Sequence, residues 1–63
     1  MKLESIQKVS KYFKSQKNLA QALGVTQGAV SQWLSAGYFP AERAIQIEII
    51  MGSRKVKAAD LIK

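Results

Sequence analysis

Gln27, Gly28, Ser31 and Gln32 stand at i, i+1, i+4 and i+5, a spacing that gathers two carboxamides, a hydroxyl and a stretch of bare backbone on one side of a helix. A carboxamide donates and accepts at once, which matches the N6 and N7 edge of adenine, and a serine hydroxyl does either with any base. Glycine in the same group lets the helix backbone come close to a base pair. The chemistry on offer is hydrogen-bond reading of base edges, without charge. The same residues would also serve to keep an exposed helix soluble, so the surrounding elements have to decide.

Those elements lie between Ser15 and Gly37, in SQKNLAQALGVTQGAVSQWLSAG. Leu19, Ala20 and Leu23 share one face of a first short helix, and Ala20 is small enough for another helix to approach closely. Gly24 follows where the chain needs φ > 0, Val25 plugs the corner, and Thr26 is a good N-cap for the next helix. Val30, Trp33 and Leu34 then form a buried stripe at i, i+3 and i+4, leaving Gln27, Gly28, Ser31, Gln32 and Ser35 on the opposite side. The phase of Trp33 assigns it to the core in preference to stacking on a nucleobase. This is the layout of a helix-turn-helix, with a plain helical hairpin as the alternative.

The flanks supply further helices. Leu3 to Phe13 carries a stripe of Leu3, Ile6, Val9 and Phe13, with Lys8, Lys11 and Lys14 on the other side. Ser15 caps a second helix of about Gln16 to Leu23, and the third covers about Gln27 to Ser35, closed by Gly37. Pro40 fits the first position of a fourth helix that runs to about Met51, where Gly52 ends it, and Glu42 complements its positive end. Ala44, Ile47, Ile50 and Met51 form its inward stripe. Ile45 and Ile49 add a second apolar edge, available to a partner unless the tail folds back over it. In the tail, AADLI can form about one helical turn that tucks Leu61 against the core, whereas Lys55, Val56 and Lys57 alternate as a short extended segment would. The expected fold is all-α, a compact bundle of four to five short helices containing a helix-turn-helix. It forms a single domain over residues 1–63, with its core over about 3–52 and a tail over 53–63.

Composition removes other function classes. Sixty-three residues allow one small core and leave no room for a substrate cleft. There is no cysteine and no histidine, and the four acids, Glu4, Glu42, Glu48 and Asp60, do not pair at a spacing suited to acid and base work. No enzyme activity, catalytic residue, cofactor, metal or small-molecule substrate is expected. No apolar run reaches signal-peptide length or the ~20 residues of a membrane span, so a cytoplasmic protein is expected. Ten lysines and arginines against four acids give a net charge of +6, which favours nucleic acid as partner.

The segment GVTQGAVSQWLSAG, followed by Phe39, Pro40, Ala41 and Glu42, resembles the helix-turn-helix of the lambda-repressor-like family, and within it the small phage Cro-like repressors. The likeness runs from about Ile6 to Ile50. Beyond Gly52 relatives end in helix or strand, so nothing is carried over to the tail. The resemblance implies that the second helix of the pair enters the DNA major groove, with Gln27, Gly28, Ser31 and Gln32 at the bases. It also implies that Gln16 binds the DNA backbone and braces Gln27. On physical grounds Gln16 and Lys17, with Asn18 beside them, open a helix whose positive end grips phosphate. Lys11, Lys14, Arg43, Arg54, Lys55 and Lys57 are further candidates for phosphate contact, and Thr26, Ser35 and Tyr38 complete the backbone set.

The function implied is a sequence-specific transcriptional regulator of phage or prophage type, acting as a repressor at the nucleoid of a bacterial host. Its partner is double-stranded DNA, a pseudo-palindromic operator held by a weak homodimer through Ile45 and Ile49. An antitoxin-like regulator of a toxin operon and a protein-interaction adaptor on the same scaffold are the alternatives. A cationic helix bundle on a membrane surface is disfavoured, because the lysines are spread over several faces.

Overall fold

Capping residues and glycines cut the chain into segments of three turns or fewer, none of which is stable as an isolated helix in water, so each depends on packing against the others. A computed structural model describes residues 3–63, with Leu3 described in its backbone alone; the inward side chain expected of Leu3 lies outside the described residues. Four α-helices follow in order, α1 (Leu3–Phe13), α2 (Gln16–Leu23), α3 (Gln27–Ala36) and α4 (Ala41–Met51), and a single 3₁₀ turn (Ala58–Asp60) completes the chain. The fold is all-helical, and no strand occurs among the described residues. None of the described helices is long and apolar enough to cross a membrane.

Each helix faces the core with the side chains its spacing selects. Ile6, Val9 and Phe13 come from α1, Leu19, Ala20 and Leu23 from α2, Val30 from α3, and Ala44, Ile47 and Met51 from α4. The tail adds Val56 and Leu61, both buried, so residues 53–63 belong to the core and not to an appendage. After a turn at Gly52, where the amides of Lys55 and Val56 both donate to the Gly52 carbonyl, the chain bends back. Glu48 Oε1 then accepts from the amide of Ala58 at 2.6 Å, and the amide of Phe39 donates to the carbonyl of Leu61 at 2.7 Å. Leu61 is tucked in as the AADLI segment predicts, by a 3₁₀ turn; of the extended alternative only the backbone of Lys57 remains, at φ −110° and ψ 142°.

Four details differ from the sequence expectation. Helix α3 runs one residue further, to Ala36. Pro40 is the residue before α4 and not its first: its ψ of 149° is extended, while its carbonyl accepts from the amide of Ala44 at 2.9 Å. Trp33 is only half-buried, as is Leu34, which leaves Val30 as the one fully buried member of the expected α3 stripe; the Trp33 ring meets that of Phe39 edge to face, centroids 5.9 Å apart. Phe39, 1 % exposed, occupies the deep aromatic position that the periodicity assigned to Trp33. Ile50 is 38 % exposed, because Ala44, Ile47 and Met51 already fill the inward arc of α4 and Ile50 falls to one side of it.

This packing ranks the two aromatics. Phe39→Ala is expected to cost about 3 to 5 kcal/mol, most of the stability of so small a domain, and Trp33→Ala distinctly less. Thermal unfolding followed by circular dichroism checks the order. A larger loss at Trp33 would mean that the tryptophan, not Phe39, holds the core.

Candidate nucleic-acid interface

The orientation of α3 is set by the four residues before it. Gly24 adopts φ 72° and ψ 33°, the left-handed conformation that ends α2. The amide of Val25 reaches back to the Ala20 carbonyl at 3.0 Å and that of Gly24 to the Gln21 carbonyl at 3.3 Å. Thr26 then returns to extended backbone, and its Oγ1 accepts from the amide of Ala29 at 3.1 Å. Val25 packs against the core at the corner. The start of α2 is built the same way, with Ser15 Oγ accepting from the amide of Asn18 at 3.1 Å.

A third tie comes from α4. Arg43 Nη1 donates to the carbonyl of Leu23 at 3.3 Å and to Gln46 Oε1 at 2.8 Å, while Gln46 Nε2 donates to the same Leu23 carbonyl at 3.1 Å. Leu23 is the last residue of α2, so these donors satisfy a carbonyl that the helix itself leaves open. They also bolt α4 to the turn. Gln46 is not identifiable from the sequence, since a lone glutamine on a helix flank carries no signal of what it will reach. The guanidinium of Arg43 is thus committed to a structural bond.

With the turn fixed, Gln27, Gly28, Ser31, Gln32 and Ser35 all lie exposed on the outer side of α3, on one surface. Gly28 is informative by what is missing around it. A Cβ added there would meet only Thr26 Oγ1, at 4.0 Å, so no neighbour within the fold requires glycine at this position. Gln16 and Lys17 are exposed at the start of α2, where the first amides of a helix have no intrahelical acceptor. Lys14 precedes them at φ 72°, an unusual conformation for a residue with a side chain, and stands beside Ser15 and Gln16 at the rim of a cleft of about 220 Å³ floored by Leu19 and Leu34. Asn18 spends its amide group within the fold: Nδ2 donates to the Phe13 carbonyl at 3.0 Å, closing the end of α1.

The remaining candidates are dispersed. Tyr38 is half-buried just after α3, with Lys63 Nζ 5.7 Å from its ring centroid. Lys55 lies away from α2 and α3, its Nζ 5.4 Å from the ring centroid of Tyr12 on α1. Ile45 and Ile49, 52 % and 76 % exposed, are not covered by the tail, which leaves α4 on the side of Glu48.

Gly24 and Gly28 are expected to respond to alanine with opposite signs. Gly24→Ala places a side chain in the left-handed region and should cost about 1 to 2 kcal/mol by conformation alone, since nothing lies within 4 Å of its Cβ. Gly28→Ala should raise stability by up to about 1 kcal/mol, the difference between the two residues inside a helix. Denaturant unfolding of both variants measures this, and destabilisation by Gly28→Ala would show that the fold does need that glycine.

Two capped helices crossing through a glycine turn, with an exposed neutral hydrogen-bonding face on the second and exposed lysines at the start of the first, suit the reading of duplex DNA. Comparison with known proteins agrees. The family described as the DNA-binding transcriptional regulator Cro matches residues 6–62, which takes in the tail as well as the helix-turn-helix. No curated protein and no solved structure gave a match. A family match over nearly the whole chain settles the affiliation: this protein belongs to the family of the DNA-binding transcriptional regulator Cro.

Proposed function

We propose that this regulator is a repressor of phage or prophage type that reads its operator with α3 in the major groove. The observation that carries this reading is the exposed, uncharged face of Gln27, Gly28, Ser31 and Gln32, together with a glycine that the fold does not require. Gln27 and Gln32 each offer a donor and an acceptor to an adenine edge, Ser31 adapts to any base, and Gly28 lets the helix sit close. Gln16 and Lys17, with the unpaired amides at the positive end of α2, take a phosphate. Lys14, Thr26, Ser35 and Tyr38 extend the grip on the backbone, and Asn18 supports it by holding α1 against the start of α2. Arg43 contributes through the Leu23 carbonyl, by fixing the turn.

Specificity then comes from the α3 face and affinity from the cations. Gln32→Ala should weaken operator binding by about 1 to 3 kcal/mol while leaving binding to random duplex unchanged. Lys17→Ala should weaken both alike and flatten the salt dependence. Gel-shift titrations over a salt series with operator and random DNA separate the two. Equal loss on both DNAs from Gln32→Ala would remove α3 from the recognition role.

One helix-turn-helix reads only a few base pairs, and a two-fold dimer doubles that by placing two recognition helices about 34 to 36 Å apart. Ile45 and Ile49 supply the contact, being large, apolar and uncovered on one edge of α4. Such a small patch gives a weak dimer that forms chiefly on a pseudo-palindromic site. Replacing both isoleucines by glutamate should abolish cooperative binding with helical content unchanged. One protomer per site with unaltered affinity in the parent chain and the variant alike would exclude the dimer.

A further inference from the structure

On the flank between α1 and the turn after α4 lies an open cleft of about 400 Å³, lined by Lys8, Lys11, Tyr12, Met51, Arg54 and Lys55. That volume falls within the range of about 300 to 1,000 Å³ usual for ligand sites. None of these residues lies on α2 or α3, so the cleft is separate from the helix-turn-helix. Four of the six are cations and none is acidic. Lys8 and Lys11 share a face of α1, and Arg54 and Lys55 come from the facing turn. Among the described residues, no side-chain hydrogen bond of the fold uses these cationic head groups. Between them Tyr12, 43 % exposed, provides the apolar surface, with Met51, 8 % exposed, at its base.

We infer that this cleft takes an acidic peptide segment of a partner protein, one that presents a single apolar side chain flanked by carboxylates. The apolar group packs on Tyr12 over the edge of Met51, and the carboxylates pair with Lys8, Lys11 and Arg54. Cations held around an apolar hollow repel one another and gain from an anionic neighbour that also covers the apolar surface. Duplex DNA presents phosphate and sugar at its surface and leaves such a hollow empty. A splayed base would need the face of Tyr12, but Lys55 Nζ already stands over that ring at 5.4 Å, and Phe13 meets it edge to face with centroids 5.0 Å apart. A second copy of the chain, itself at +6, is repelled. Of these occupants, the acidic peptide is the one that meets both the charge and the apolar lining.

The test uses the full chain and a short peptide of alternating Asp and Glu around one central Leu, followed by amide NMR. The peptide should shift the amides of Tyr12, Met51 and Lys55 and leave Gln27 to Gln32 unmoved. Replacing its Leu by Ser should weaken binding about tenfold or more, the loss expected when one apolar side chain goes unburied. Lys8→Glu combined with Arg54→Glu should abolish the shifts, with circular dichroism confirming an intact fold. Equal binding of the Leu and Ser peptides would reduce the cleft to a diffuse cationic surface and overturn the inference. So would shifts confined to α3, or oligothymidine seating in the cleft where the peptide does not. The inference does not rest on α3, so Gln32→Ala should leave peptide binding unchanged whatever it does to DNA binding.

Discussion

The direction of α3, and with it the surface proposed to meet DNA, depends on how the backbone passes from Leu23 to Thr26. A single residue in the left-handed region turns the direction of α2 into that of α3, and only glycine takes that conformation without a steric penalty. Four hydrogen bonds in three places then hold the turn: the Val25 amide on Ala20, the Thr26 cap on Ala29, and the paired donors of Arg43 and Gln46 on Leu23. The last is the most consequential, because it comes from a helix that is distant in sequence. Without it α4 would touch the motif through apolar contacts alone, which resist separation but tolerate sliding. Two directional bonds to one carbonyl fix the register.

The other end of α4 is held by a different device. Glu48 caps the amide of Ala58, and the Phe39 amide closes on the Leu61 carbonyl, so the loop before α4 and the tail after it are stitched to each other. Phe39 and Leu61 are buried together as a result. The tail thereby passes over the Glu48 side of α4, with Arg43 and Gln46 facing α2 on the other side. Ile45 and Ile49 are left outward because both flanks are occupied and neither flank needs them.

Most of this order is legible in the sequence, for reasons that particular residues make plain. Gly24 and Gly37 act through their own backbones, and Ser15 and Thr26 through side-chain oxygens that reach amides three residues on, so helix limits follow from local chemistry to within a residue. Pro40 shows the limit of such reasoning: its ring suits both the first helical position and the one before it, and ψ decides between them. Trp33 and Phe39 show another. Periodicity gave Trp33 the right face, but depth depends on how closely α3 approaches its neighbours, and the loop residue Phe39, with no period to reveal it, fills the centre. The Arg43, Gln46 and Leu23 cluster was hidden for the same reason: its partners are twenty or more residues apart and nothing local announces them.

Charge is divided across the molecule in a way that follows from the work proposed for each surface. The outward face of α3 carries none, and this suits discrimination, since a lysine there would be attracted to any phosphate regardless of sequence. The cations proposed for the DNA backbone, Lys14 and Lys17, sit at the start of α2 and beside it, where they would strengthen binding without choosing a site, and Lys8, Lys11, Arg54 and Lys55 of α1 and the tail line the separate cleft. In the proposed dimer the same excess sets two protomers of +6 against each other in solution, with the isoleucine edge to oppose the repulsion. Bound DNA removes that repulsion by neutralising the cations. In the dimer proposed above, assembly and DNA binding are therefore one linked equilibrium, in which the phosphates that supply affinity also permit the protein contact that doubles the sequence read.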